Sequence, residues 1–363
     1  MIQVGTGGFG GAWCKEFLPE AVESGLVEVI AAVDVNPAAL INARESLGLA
    51  EDKLYTDVEK AFDENPADFC TVVVPPKSHE KIIDCGLAHD MHILCEKPIA
   101  HDLETSVRIV NKIEDAGKKM GITLSHRFAQ DNSTFREAVR SGDYGDLDYI
   151  LLHHTVAKRE YASWGKFRSE IPDVQMVEGG VHYLDIMAEI AGAKCVEIYS
   201  QTWNPPWSEY KGDPQSMTMM SFENATRGFI EMSASTATSL YPWGEIHCRA
   251  ECDKATIVLE DGRIERFPWR NPAEAGMNRF KRGQGIEIPL LEGDVWRHNL
   301  LIKKFTDWLA GGPEMETNVR DALQSSALFE AAIISSREGR PVKVQEYLQE
   351  VISKVSRSPM SAG

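Results

Sequence analysis

The chain lacks any run approaching the roughly 18 consecutive apolar residues that a membrane-crossing helix requires. Its N-terminus has neither a basic leader nor a small-residue cleavage site, so a cytoplasmic protein is expected. Basic residues are scarce beside acidic ones, 38 against 55, and the net charge of −17 argues against a nucleic-acid surface or an anionic membrane as partner. The seven cysteines are odd in number and contain no C-x-x-C pair, which fits a reduced compartment and no disulfide framework. Metal-ligand spacing is missing as well. Cys248 and Cys252 read as buried thiols, and His153-His154 and His89/His92 as structural or surface residues, so no metal is expected. Neither an internal repeat nor a low-complexity segment is present. What remains, 363 residues of which 43% are hydrophobic, suits two globular domains and small-molecule chemistry.

Glycine, by contrast, is placed with a pattern. Gly5, Gly7 and Gly10 lie in VGTGGFGG after the short strand Ile2-Gln3-Val4, and Asp34 closes the apolar run from Val27 to Val33. A G-x-G-x-x-G turn between a strand and a helix, here also containing Gly8 and Phe9, lets backbone N–H groups approach a pyrophosphate without a Cβ in the way. Trp13, Phe17 and Leu18 give the following helix its apolar face. Asp34 can accept hydrogen bonds from the adenosine ribose hydroxyls and would repel a 2′-phosphate; Val35-Asn36-Pro37 adds no cation to hold one. NAD is expected over NADP.

From residue 1 to about 124, strand-like runs at Val27–Val33, Asp68–Val74, His92–Cys95 and Gly121–Ser125 alternate with amphipathic segments. Leu103, Val107, Val110 and Ile113 share one helical face behind Asp102 as cap. Repeated β-α units imply a parallel, doubly wound sheet. After residue 125, a helix beginning near Asp131 ends at Ser141-Gly142-Asp143. Strand-like runs then dominate: Tyr149–Val156, Cys195–Thr202, Met217–Phe222, Thr226–Ser233, Glu245–Ala250, Ala255–Leu259 and Arg263–Phe267, the last two joined by an Asp261-Gly262 hairpin turn. Two helices, Val295–Leu309 and Val319–Glu338, follow. The expectation is an α/β chain: residues 1–124 a dinucleotide-binding domain, residues 125–363 an α+β domain with a large open, mostly antiparallel sheet. Tyr161 to Val177 and Pro268 to Gly285 read as long surface loops able to cover a site.

Ligands of doubly wound sheets bind at the carboxyl ends of the strands. One such end carries Val74-Pro75-Pro76-Lys77-Ser78-His79, a rigid turn expected beside the nicotinamide ribose. Another carries Glu96-Lys97-Pro98, with Glu96 and Lys97 on opposite faces of an extended chain. Lys97 can stabilise the alkoxide that develops as hydride leaves a carbinol; a solvated surface lysine is the competing reading. In the second domain, a helix through Glu178-Gly179-Gly180-Val181-His182-Tyr183-Leu184-Asp185 puts Glu178 and His182 at i and i+4. His182 suits removal of a hydroxyl proton near neutral pH, with a core histidine as the alternative. His126, Arg127, Trp164 and Arg168 are candidates for gripping substrate hydroxyls or a carboxylate.

Taken together, the glycine turn with Asp34, Pro75-Pro76…His79, Glu96-Lys97-Pro98, Ser125-His126-Arg127-Phe128, Glu178…His182…Asp185 and the ending Glu330-Ala331-Ala332…Gly339-Arg340-Pro341-Val342 resemble the Gfo/Idh/MocA family (glucose-fructose oxidoreductase, inositol dehydrogenase, rhizopine catabolism). The resemblance implies a Rossmann domain followed by an α/β domain whose open sheet builds dimers or tetramers. It also implies hydride transfer between a pyridine nucleotide and a carbohydrate or cyclitol hydroxyl. The family's catalytic lysine falls on Lys97 and its Asp-x-x-x-His pair on Glu178 and His182. Two departures stand out: Glu178 replaces the usual aspartate, and Pro172-Asp173-Val174, preceded by Trp164, Phe167 and Arg168, replaces a glycine turn. The leading expectation is an NAD-dependent dehydrogenase for a sugar, sugar derivative or cyclitol. Redox-elimination cleavage of a glycoside on the same residues is the second reading, and a catalytically silent NAD-binding sensor the third.

Overall fold

A computed structural model of the chain describes residues 1–160, 166–239, 244–271, 273, 280–281 and 283–357. It divides into two compact units, one of residues 1–128, 295–326 and 351–363, the other of residues 129–294 and 327–350. The chain therefore leaves the first unit and returns to it twice.

The first unit is built on a parallel six-stranded sheet of β1 (Ile2–Val4), β2 (Ala31–Val33), β3 (Leu54–Tyr55), β4 (Phe69–Val72), β5 (His92–Cys95) and β6 (Met120–Ile122), in the order β3-β2-β1-β4-β5-β6. Every residue of β1, β2 and β4 is buried, because helices cover both faces. The order reverses beside β1, where the chain first runs left to β2 and β3 and later right to β4, so β1 and β4 flank the switch point. The helix Leu103–Asp115 starts as its sequence dictates: Asp102 Oδ1 accepts from Thr105 N at 2.6 Å, and Leu103, Val107, Val110 and Ile113 are all buried. Three expected strands are shorter than their apolar runs, Asp68–Val74 among them, which pairs only over Phe69–Val72. β2 begins only at Ala31, and the run into Ser125 ends at Ile122, after which Ser125–Phe128 tightens into a 3-10 turn. The returning helix Arg297–Leu309 adds Leu301, Ile302 and Phe305 to a core that includes Trp13, Leu18, Phe69, Leu94 and Phe128.

The second unit carries a nine-stranded sheet among the described residues. Its strands are β7 (Leu147–Thr155), β8 (Cys195–Trp203), β9 (Gln215–Phe222), β10 (Arg227–Ser233), β11 (His247–Cys252), β12 (Ala255–Glu260), β13 (Arg263–Pro268), β14 (Ile286–Ile288) and β15 (Val342–Lys343). All neighbouring pairs run antiparallel except β7 with β10. Asp261 and Gly262 adopt φ of 50° and 68°, the left-handed pair that a two-residue hairpin needs. The helices Gln130–Arg140 and Val181–Ala191 pack on one face of this sheet. Buried residues alternate along the strands, with Ile150, Leu152, Ile198, Met220, Ile230, Ala250 and Ile257 inward. The other face presents Tyr199, Met219, Phe229, Leu151, Arg249 and Val258 in register across six strands. Met217 and Met219 are 45% and 55% exposed there, so this face is an apolar stripe without a cover from its own chain among the described residues.

Candidate active site

The glycine turn leaves β1 at its carboxyl end, and two of its three motif glycines are dictated by backbone packing. A Cβ on Gly5, whose φ is +89°, would lie 2.0 Å from Val73 O, and one on Gly10 would lie 2.3 Å from Gly5 O. Only hydrogen fits at either place. Gly7 is looser: a Cβ there would lie 3.3 Å from Ala39 Cβ and 3.5 Å from Asp34 Oδ2, and Gly8 opens onto empty space at φ +52°. Gly8 and Phe9 are exposed. The turn is braced from beneath: Gly5 N donates to Val33 O at 2.7 Å, and Asn42 Nδ2 donates to Thr6 O at 2.8 Å. Asp34 closes the arrangement. Its Oδ2 accepts from Thr6 N at 2.8 Å and Gly7 N at 2.9 Å, while Oδ1 accepts from Asn36 N at 2.9 Å. The acid at the end of β2 is thus anchored against the turn, half-buried and able to take further donors. These features fit an NAD: a turn stripped of side chains for the pyrophosphate and a fixed carboxylate for the ribose.

At the end of β4, Val74 and Pro76 are half-buried and Pro75 is exposed. His79 is fully buried beneath this turn, with Nε2 at 2.8 Å from Val74 O. Burial lowers its pKa, opposed by the backbone carbonyls of Val74, Ile99 and Pro98. Its other ring nitrogen, Nδ1, lies 3.1 Å from Ile99 O and 3.4 Å from Cys95 Sγ, so the ring bridges the Val74 and Ile99 carbonyls. His79 therefore shapes the proline turn from below.

β5 runs into Glu96 and Lys97, and the two residues part as an extended chain requires. Glu96 turns inward and is 7% exposed, whereas Lys97 is half-buried. Oε1 of Glu96 accepts from Trp13 Nε1 at 2.8 Å; Lys97 N donates toward Glu96 Oε2 and toward Thr123 Oγ1, each at 3.2 Å. Burial pushes the Glu96 carboxyl up, opposed by the Thr123 hydrogen bond, the Lys97 charge, the Trp13 N–H and the Lys97 backbone N–H. The sequence pattern places Trp13 in the core and leaves Thr123 without a role. A buried indole N–H needs an acceptor, and that is the signal that leads from Trp13 toward a partner such as Glu96.

In the second unit, the segment holding Glu178 is a π-helix over Gln175–Gly180, and the α-helix begins only at Val181. This corrects the expected uninterrupted α-helix: Gly179-Gly180 tolerates the wider turn, and Glu178 lies in it while His182 lies in the α-helix beyond. Glu178 Oε2 accepts from Arg168 Nε at 3.2 Å. The loop expected from Tyr161 to Val177 contains, among the described residues, the short helix Lys166–Ser169 that carries this arginine. Asp185 is buried, and His182 is half-buried one residue before Tyr183, whose ring stacks on His154 at 4.3 Å. Burial lowers the His154 pKa to about 4, so that ring is a neutral core histidine. Tyr210 is singled out by no sequence pattern. Its hydroxyl is buried without a hydrogen-bond partner among the described residues, and its pKa is raised to about 12 by burial, with Arg168 lowering and Glu178 raising it.

Of the remaining candidates, Arg127 is buried in an ion pair with Asp321 Oδ2 at 2.7 Å and donates to Glu316 O, contacts that tie the 3-10 turn to the start of helix Val319–Glu338. His126 beside it is half-buried. Trp164 lies outside the described residues. Lys97, His126 and Arg127 belong to the first unit, and Arg168, Glu178 and His182 to the second.

Residues 2–124 match the oxidoreductase family with an NAD-binding Rossmann fold, and residues 136–344 match the same family's C-terminal alpha/beta domain. An uncharacterized protein y4oX of Sinorhizobium fredii is 44% identical, over 96% of both chains. Inositol 2-dehydrogenase of Pseudarthrobacter chlorophenolicus is 31% identical, over 88% of both. Among solved structures, an oxidoreductase of Agrobacterium radiobacter in complex with NAD+, L-tartaric acid and magnesium shares the fold with a TM-score of 0.78 at 21% identity, covering 95% of this chain and 98% of its own. The chain belongs to the Gfo/Idh/MocA oxidoreductase family, and its first domain is an NAD-binding Rossmann fold.

Proposed function

We propose that this oxidoreductase is an NAD-dependent dehydrogenase of a sugar, sugar derivative or cyclitol hydroxyl. The observation that carries the reading is Lys97: an ammonium at the carboxyl end of β5, in the nucleotide-binding sheet, on a backbone held by Glu96 and Thr123. NAD, when bound, supplies the hydride acceptor. Lys97 would stabilise the alkoxide, His182 would take the hydroxyl proton, and Glu178 would position one or both. The substrate leaves as the carbonyl compound, having lost a hydride to NAD and a proton to His182. Arg168, His126 and Trp164 are proposed for substrate binding; the buried ion pair of Arg127 favours a supporting role for that residue. The 31% identity to an inositol 2-dehydrogenase supports a polyol or sugar as substrate, and the neighbour's L-tartaric acid makes sugar acids worth including.

NAD is favoured over NADP by the anchored Asp34 carboxylate. The next basic residue along the chain, Arg44, already faces Glu45 and Glu51. The open apolar face of the nine-stranded sheet favours a homodimer or homotetramer, a second copy covering it.

The test is a panel of sugars, sugar acids, cyclitols and glycosides with NAD and NADP, followed by absorbance of the reduced cofactor. Net NADH with one class of hydroxyl compound is expected, with higher kcat/KM for NAD. Parity or an NADP preference would remove the Asp34 argument, and glycoside cleavage without net NADH would replace the dehydrogenase by redox elimination. Lys97→Ala and His182→Ala should each lower kcat by roughly 10²-fold or more while NAD still binds, and the double variant should be little worse than the poorer single one. Near-normal kcat in either variant would return that residue to a structural role.

A further inference from the structure

The hydrogen bond from Trp13 to Glu96 links two parts of the first unit that are 83 residues apart in sequence: the helix leaving the glycine turn and the loop carrying Lys97. Trp13 is the largest of the fully buried side chains. Its ring is held edge-on by Phe17 and His298, with centroids at 5.8 and 5.9 Å, so the indole N–H has one direction to point. Glu96 receives it on Oε1 and turns Oε2 toward Lys97 N. A tryptophan chosen for packing alone could equally be phenylalanine; one donating at 2.8 Å to a buried carboxyl could not.

We propose that Trp13 is a positioning residue for Lys97, acting through Glu96: its N–H fixes the orientation of the carboxyl group, which in turn holds the Lys97 backbone at the end of β5. The proposal rests on the catalytic reading of Lys97 for its effect on turnover, but its structural half stands on unit-one contacts alone.

Titration of Glu96 gives a readout that needs no substrate. The groups facing Glu96 are the Lys97 ammonium and backbone N–H, the Thr123 hydroxyl, the Trp13 N–H and the Cys95 thiol; His298 lies behind Trp13 and is pushed down to about 3, below the range concerned. Burial holds the folded carboxyl above its unfolded value of about 4.3. The folded state therefore binds this proton more tightly than the unfolded one, and stability falls as pH rises from the unfolded value through the folded one. Removing a donor to the carboxylate raises the folded value further and extends that fall to higher pH.

The experiment measures Tm against pH for the NAD-free and NAD-loaded protein, wild type beside Trp13→Phe, Glu96→Gln and the double variant. Expected are a loss of Tm with rising pH that extends further in Trp13→Phe, and its absence in Glu96→Gln and in the double variant. With an active substrate, Trp13→Phe should lower kcat roughly 10-fold and move the acidic limb of the kcat profile upward, with the NAD dissociation constant within about twofold of wild type. Superimposable pH dependences of Tm for wild type and Trp13→Phe would overturn the proposal. If Trp13→Phe does not fold, benzothienylalanine at position 13 keeps the bicyclic shape without the N–H and is read the same way. Near-normal kcat in Lys97→Ala would remove the catalytic reading separately, and the thermal curves would still decide the link.

Discussion

The two sheets of this chain differ in how they use their surfaces. The first has strands of two to four residues, buried on both sides, and its candidate site residues lie at strand ends: the glycine turn after β1, Asp34 after β2, the proline turn after β4 and Lys97 after β5. The second has strands of six to nine residues from β7 to β13, buried on one side, and among the described residues leaves an apolar stripe uncovered on the other. A parallel sheet covered by crossover helices has no face to spare, whereas an antiparallel one connected by hairpins does. The proposed binding at the strand ends of one sheet and the proposed association through the face of the other rest on that topological difference.

The sharpest way to break this contrast is at the first sheet's glycine turn. Gly10→Ala and Gly5→Ala force a Cβ onto backbone carbonyls at 2.3 and 2.0 Å and should cost about 3 kcal/mol or more, abolishing NAD binding. Gly8→Ala, strained in φ but facing open space, should cost only about 1–2 kcal/mol. Thermal unfolding with and without NAD measures both, and equal losses at positions 8 and 10 would mean that the tight backbone packing does not decide the effect. The second sheet should respond through assembly instead. Met219→Asp places a charge in the exposed stripe and should lower the mass seen by light scattering at micromolar protein while the circular dichroism stays unchanged; a wild-type monomer, or an unaltered mass in the variant, would leave the open face without its proposed partner.

A smaller effect separates the two cores by pH. Burial pushes the His298 ring, stacked on Phe17 in the first unit, down to about 3, and that of His154 in the second unit down to about 4. Each must be neutral when folded, so each contributes stability above the unfolded value near 6.5 that is lost as pH falls toward the folded value. His298→Phe and His154→Phe should each flatten the decline in Tm between about pH 6.5 and 4. A variant whose decline matches wild type would show that the ring in question is hydrated rather than buried.

Legibility divides along the same line as the sheets. His92–Cys95 and Val319–Glu338 are readable to the residue, and the alternation of β8 to β13 marks those strands to within about two positions. Continuous apolar runs are harder. Val27–Val33 yields a strand only from Ala31, because a fully buried run has no alternation to say where pairing starts. The two-residue strands β3 and β15 escape a reading of pattern because so short an element is defined by its neighbour alone. The helix Val344–Arg357 buries Val344, Leu348 and Val351 on one face, a spacing that is signal enough to find it. The glycine turn, Asp34 and Glu96-Lys97-Pro98 are all legible in the site. The partners of Glu96 and Glu178 are not, since Trp13 is 83 residues from the former and Arg168 approaches the latter from a separate helix.

The sequence by itself determined the nucleotide-binding turn, the family and the division into a parallel and a largely antiparallel sheet, because glycine sterics, strand period and turn chemistry act over a few neighbouring residues. Tertiary structure alone decided that β7 and β10 pair in parallel, that Glu178 sits in a π-turn against Arg168, and that residues 295–326 return to complete the first unit. It also decided that Trp13 donates to Glu96. Each of these depends on which distant surfaces meet, and local propensity carries no record of that until the chain has packed.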